Sequence, residues 1–204
     1  MGVLLFVSAG RLDLPWFWAL LAVHTTLQTI SMGFADPDLF RERLHPGPGN
    51  RDRYSPKIGA VLIVLHLIIA GLDAGRFHWS PDIPSPVRAA ALFVFALSMG
   101  LSVWAILVNR FFSSVVRIQT ERGHRVIDTG PYRLVRHPGY FGLLLAAVAG
   151  AVVLGSLWSL LPLVLLIALF VRRLLIEDAM LQSDLNGYVD YAHRVRHKLL
   201  PGLW

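Results

Sequence analysis

From Arg136 to Arg172 the chain runs for 35 residues without one Asp, Glu, Lys or Arg. As a single helix that stretch would be about 50 Å long, against the roughly 30 Å hydrocarbon core of a bilayer. It must therefore break, and Gly155-Ser156-Leu157-Trp158, with Pro162 beyond, supplies the breaking residues. The segment reads as a hairpin of two short apolar helices, about 139–154 and 158–176.

Three further runs are bracketed by charge in the same way. PWFWALLAVHTTLQTISMGFA lies between Asp13 and Asp36, IGAVLIVLHLIIAGL between Lys57 and Asp73, and AAALFVFALSMGLSVWAILVN between Arg88 and Arg110. They predict spans at about 15–35, 57–75 and 87–109, five in all, so the expectation is an all-α, polytopic integral membrane protein forming one membrane domain over 1–204. Composition agrees, with 55% hydrophobic and only 16% charged residues against about 25% charged in soluble domains. The same figures exclude a disordered tail, and the absence of cysteine excludes thiol catalysis and thiolate metal sites.

Basic residues supply an independent test of the topology, because cytoplasmic loops collect them. Of 19 Lys and Arg, 16 fall in the first loop, the third loop and the tail, leaving Arg11, Arg76 and Arg88 on the other side. The N-terminus is thus expected outside and the C-terminus in the cytoplasm. The net charge of +6 then reports orientation and not nucleic-acid binding. MGVLLFVSAG is too short to cross and lacks a basic leader, so it is read as an interfacial stub and not a signal peptide. Met180, Leu181, Leu185, Tyr188 and Tyr191 share one helical face, which predicts an amphipathic cytoplasmic helix over about 177–196.

Polar complexity concentrates in the third loop, QTERGHRVIDTGPYRLVRHPGYFG, which leads straight into the hairpin. Gly130-Pro131 and His137-Pro138-Gly139 are turn signals, so a nonhelical ligand-binding loop at the membrane surface is one reading. Pro138 keeps His137 out of the helical region, which fits either a structural turn or a corner that presents its imidazole. At the other end of the hairpin, Arg173 and Glu177 are four apart on one helical face. They form either an ordinary surface ion pair or, facing a closed cavity, a cation beside a carboxylate. No GxGxxG, GxxxxGK[ST] or HExxH motif occurs, and no metal site is expected; His193 and His197 read as surface residues. His24 and His66 lie within predicted spans and read as imidazoles satisfied by a neighbouring helix.

GPYRLVRHPGYFG, preceded by Gln119 and His124 and followed by Arg173, Glu177, Asp178, Tyr188, Tyr191 and Pro201, resembles the isoprenylcysteine carboxyl methyltransferase family of integral membrane enzymes. Phospholipid N-methyltransferases belong to the same broader group. The likeness covers about 109–201, and DPDLFRERL followed by RDRY resembles a first-loop pattern of bacterial members. Where the family shows paired glutamates, this chain has Glu177 followed by Asp178. The resemblance implies S-adenosylmethionine as donor, contacted by Gln119, His124, Arg125, Val126, Ile127, Tyr132, His137, Pro138, Gly139, Tyr140 and Glu177. It implies that Arg173 binds the acceptor's carboxylate, so Arg173 and Glu177 are the expected catalytic pair. The expected partners are a lipophilic or lipidated acceptor and membrane lipids. An amine acceptor, as in phospholipid N-methylation, is the alternative within the group. A membrane reductase using NADPH, since sterol reductases share a related C-terminal architecture, and a noncatalytic membrane protein are the rivals from other classes.

Overall fold

The computed structural model describes residues 1–200 and 202–204, so Pro201 lies outside the described residues. Its elements are α1 (Gly2–Ala9), α2 (Pro15–Phe34), α3 (Pro37–Leu44), α4 (Ser55–Leu72), α5 (Ser85–Val108), α6 (Pro138–Leu154), α7 (Leu160–Asp184) and α8 (Tyr188–Arg194). A π-helical turn, Asp73–Phe77, continues α4, and two 3₁₀ turns, Thr120–Arg122 and Gly130–Arg133, punctuate the long loop before α6. No strand occurs among the described residues.

Among the described residues, two helical segments can cross a membrane by length and composition, Ser55–Phe77 and Ser85–Val108; Pro138–Leu154 is apolar but shorter. The remaining two differ for visible reasons. The middle of α2 carries His24, Thr25, Thr26, Gln28 and Thr29, and α7 runs on through Arg172, Arg173, Glu177 and Asp178 to Asp184.

Helix α6 sits at the centre, touching α2, α4, α5 and α7 and packing most extensively on α5. It is apolar all round and rich in Gly and Ala, as a helix enclosed by others must be. A Cβ at Gly142 would lie 2.4 Å from Ser102 Oγ and 2.5 Å from the Ser98 carbonyl, so α5 and α6 meet there nearly backbone to backbone. Ser102 Oγ seals the contact by donating to the Gly139 carbonyl at 3.2 Å. Gly155, at φ +77°, ends α6 in the left-handed conformation, and the chain turns through Ser156 and Ser159 into α7.

Two expectations need correction. The N-terminal segment is not an interfacial stub: α1 packs on α4 with Leu5, Phe6 and Ala9 buried, and Arg76 Nε donates to the Ser8 carbonyl at its C-terminal end at 2.7 Å. Nor is 177–196 one helix. The seventh helix continues to Asp184, Leu185 turns extended, and Gly187 at φ +79° starts α8 in a new direction. The predicted apolar face nevertheless stays together, because Met180, Leu181, Leu185, Tyr188 and Tyr191 close around Val116 of the long loop. Replacing Gly142 with Val should force α5 and α6 apart and lower stability by about 1–3 kcal/mol, read from the unfolding midpoint of the purified protein.

Candidate functional site

At one end of the bundle the loop 109–137, the first turns of α6 and the last turns of α7 enclose a cavity of about 240 Å³. Gln119, His124, Arg125, Val126, Ile127, Tyr132, His137, Gly139, Tyr140, Arg173 and Glu177 all line it, so of the sequence-predicted residues only Pro138 does not. Pro138 instead starts α6 and lets His137 turn the corner.

The acidic pair divides its work by helical geometry. Asp178 is buried and faces away from the cavity, accepting from Arg136 Nε at 2.8 Å, Arg136 Nη2 at 3.0 Å, His137 Nε2 at 3.2 Å, Tyr188 Oη at 3.0 Å and Gln182 Nε2 at 2.8 Å. Burial by itself would raise its carboxyl pKa, but the hydrogen bonds from His137 and Arg136 outweigh that and hold it below the usual carboxylate range. Arg136 also donates to the Val195 and Arg196 carbonyls, and the backbone N–H groups of Arg136 and His137 donate to His197 and Lys198. The chain's tail is thereby laid against the corner that opens α6.

Glu177, one residue earlier, lines the cavity. Its carboxylate accepts from Tyr140 Oη at 2.6 Å, and the same phenol oxygen accepts from Arg173 Nε at 2.9 Å. The i,i+4 ion pair that the spacing allows is therefore replaced by a relay through Tyr140, which α6 inserts between the two side chains. Arg173 is further held by Asp52 Oδ2 at 3.1 Å and the Ser114 carbonyl at 2.9 Å. Asp52 is itself buried and accepts from Ser55 Oγ at 2.8 Å. Burial would raise its pKa, but Ser55 and Arg173 hold it below the ordinary value.

The loop wall is braced from within. Gln119 is buried, donates from Nε2 to the Phe111 carbonyl at 2.8 Å and accepts from Arg122. Its backbone N–H donates to His124 Nδ1 at 3.2 Å, which makes Nδ1 the unprotonated ring nitrogen, and the ring stacks on Phe111 at 4.6 Å. Burial and the nearby Arg117 and Arg122 charges push the His124 pKa down to about 4. Tyr132 is buried beneath the loop, its hydroxyl accepting from Asn109 Nδ2 at 3.1 Å and its carbonyl from Tyr191 Oη at 2.7 Å.

A second, larger cavity of about 850 Å³ opens among α1, α2, α3, α4, α5 and α6, with mostly apolar walls. Arg43, Phe112, Ser114 and Leu143 line both cavities. An aqueous-type pocket with a carboxylate, cations, a phenol and backbone groups thus adjoins a space suited to an apolar chain. Such a pair of compartments can bring a polar ligand and a lipophilic one to a common boundary.

Sequence reasoning did not single out Asp52, Ser114, Asn109 or Arg136 for the site. The RDRY block contains Asp52 and was the available signal; Ser114 and Asn109 act through a carbonyl and an amide that no motif distinguishes.

The match to a family model falls on this same region. Residues 89–183 match the model of the Isoprenylcysteine carboxyl methyltransferase (ICMT) family. The chain is 37% identical over 98 residues to a "Probable protein-S-isoprenylcysteine O-methyltransferase" of Oryza sativa subsp. indica, covering 47% of this chain and 51% of the relative. It is 30% identical over 92 residues to "Protein-S-isoprenylcysteine O-methyltransferase B" of Arabidopsis thaliana, covering 44% of this chain and 47% of the relative. The chain thus matches about half the length of these curated relatives.

Two outcomes follow from the geometry. Asp178→Asn should strand the buried Arg136 guanidinium and lower stability by about 3–5 kcal/mol, measured by equilibrium unfolding. Because the folded chain holds His124 near 4 against an ordinary 6.5, the unfolded chain takes up that proton first. Its contribution, present above pH 6.5, should be lost as the pH falls towards 4. A His124→Gln variant should therefore show a shallower decline of unfolding temperature across that interval.

Proposed function

We propose, on the match of residues 89–183 to the ICMT family model, that this protein is an S-adenosylmethionine-dependent methyltransferase whose acceptor is a lipophilic carboxylate of isoprenylcysteine type. The observation that carries the reading is the polar cavity itself, which gathers the motif residues of the third loop and the α7 pair where it adjoins the apolar cavity. We also read the chain as a five-span membrane protein with its N-terminus outside and this cavity on the cytoplasmic side, in accord with the distribution of Lys and Arg.

The donor carries a sulfonium, an amino-acid zwitterion and an adenosine, and the lining suits each. Glu177 offers a carboxylate to a cation, Arg125 a guanidinium to a carboxylate, and Tyr132 and Tyr188 aromatic surface. Neutral His124 and the backbone of Arg125, Val126 and Ile127 offer hydrogen bonds to a heterocycle. When bound, the donor supplies an electrophilic methyl group that passes in line to the acceptor oxygen, the C–S bond breaking as C–O forms.

The chain's own work is positioning. A carboxylate acceptor is already ionised, so no general base is required. Arg173 keeps donor capacity beyond its bonds to Tyr140, Asp52 and Ser114, because a guanidinium has five N–H groups, and it can turn a carboxylate towards the methyl. Tyr140 transmits the position of Arg173 to Glu177, so acceptor and donor contacts share one rigid frame. Holding both partners in line while excluding water supplies about 7–11 kcal/mol when the geometry is right.

Glu177→Ala should weaken S-adenosylmethionine binding by about tenfold or more in calorimetry, as expected for loss of a charged partner. Arg173→Ala should abolish methyl transfer with little change in donor affinity, and Arg173→Lys should not restore it, since a point ammonium cannot reach Tyr140, Asp52 and Ser114 together. The decisive experiment is transfer of radiolabelled methyl into lipid and protein extracts. Base-labile label supports a carboxylate acceptor, base-stable label points to an amine, and stabilisation by NADPH in place of S-adenosylmethionine overturns the reading.

A further inference from the structure

Arg173 has three of its hydrogen-bonding directions occupied by Tyr140, Asp52 and Ser114. A second guanidinium stands at the entrance to the same compartment. Arg43 lines both cavities, and among the described residues it is the one charged side chain lining the apolar one. Other arginines of the polar cavity are committed or set back: Arg117, Arg136 and Arg173 are ion-paired, and Arg125 does not reach the apolar cavity.

The fold holds Arg43 there. Its neighbour Glu42 is buried and accepts from Arg117 Nε at 2.9 Å, Arg117 Nη2 at 2.6 Å and Ser113 Oγ at 2.8 Å, which fixes α3 against the long loop. Burial would raise the Glu42 pKa, but Arg117 and Ser113 outweigh it and keep the carboxylate ionised. The Arg43 carbonyl accepts from Ser114 Oγ at 3.3 Å, while the Ser114 carbonyl accepts from Arg173 Nη2 at 2.9 Å. The two arginines therefore flank one residue. Yet the Arg43 guanidinium has no hydrogen bond or ion pair with any described residue. Its neighbour is the ring of Phe112, 5.8 Å from Cζ to centroid, and Phe112 also lines both cavities.

Arg43 is exposed where the two cavities join, and with an aromatic face as its neighbour its guanidinium is free to receive an anion there. We propose that Arg43 docks the carboxylate head of the lipophilic acceptor where its apolar body leaves the larger cavity, and so selects carboxylate acceptors over neutral ones. This rests on the functional reading above and adds to it a specificity-determining residue outside the motif block. A planar guanidinium can grip the carboxylate in bidentate fashion, and Ser114 places that grip next to Arg173, which receives the oxygen for reaction.

The test uses the full chain in detergent, an S-farnesyl-N-acetylcysteine probe and its carboxamide, with equilibrium binding measured separately from methyl transfer. The unsubstituted protein should prefer the carboxylate by at least about tenfold, and Arg43→Gln should reduce that preference by about tenfold. Arg43→Lys should fall between, while the unfolding temperature stays unchanged, since the side chain makes no hydrogen bond with any described residue. An unchanged preference in Arg43→Gln, or no preference in the unsubstituted protein, overturns the assignment. Failure of methyl transfer with the binding preference intact would instead remove the functional reading and leave Arg43 as an anion-docking residue.

Discussion

The buried carboxylate of Asp178 is the contact on which the candidate site depends. It sits on α7, yet its partners come from the end of the long loop, the first corner of α6 and the start of α8. A charge this deep is tolerable only when its lone pairs are filled, so the segments that fill them are obliged to converge. Arg136 extends the obligation to the chain's tail through the Val195 and Arg196 carbonyls. Roughly 100° around the same helix, Glu177 is free of that duty and faces the cavity with Tyr140. Two adjacent acids thus become a structural anchor and a cavity wall.

A second buried pair does the same on the opposite side. Glu42 and Arg117 fix α3 to the long loop, and Asp52 with Ser55 fixes the start of α4 to Arg173. Between these anchors the polar and apolar cavities meet at Arg43, Phe112, Ser114 and Leu143. The close approach of α5 and α6 at Gly142 matters for the same reason: it brings Ser102 onto the Gly139 carbonyl and so seats the His137–Tyr140 corner. The proposed methyl transfer between a polar donor and a lipophilic acceptor would require two such compartments and a fixed boundary between them.

Much of this was legible in the chain because it depends on local pattern. Lack of charge between Arg136 and Arg172 demands a break, and Gly155 is the residue able to turn left-handed there. The third loop announced itself by density of polar and turn-forming residues, and the motif block showed its resemblance to the isoprenylcysteine carboxyl methyltransferases before any geometry. Tertiary contact alone decided the rest. Whether Arg173 pairs with Glu177 is undetermined by their spacing, because Tyr140, which comes between them, arrives from another helix. Which acid faces the cavity depends on where Arg136 and His137 lie, and the N-terminal stub becomes core only because α4 has a groove for it. Arg43 lies in the DPDLFRERL block, but that block does not distinguish it from Arg41: it gains significance from standing where two cavities join, unpaired among the described residues, a property of the packed whole and not of any segment.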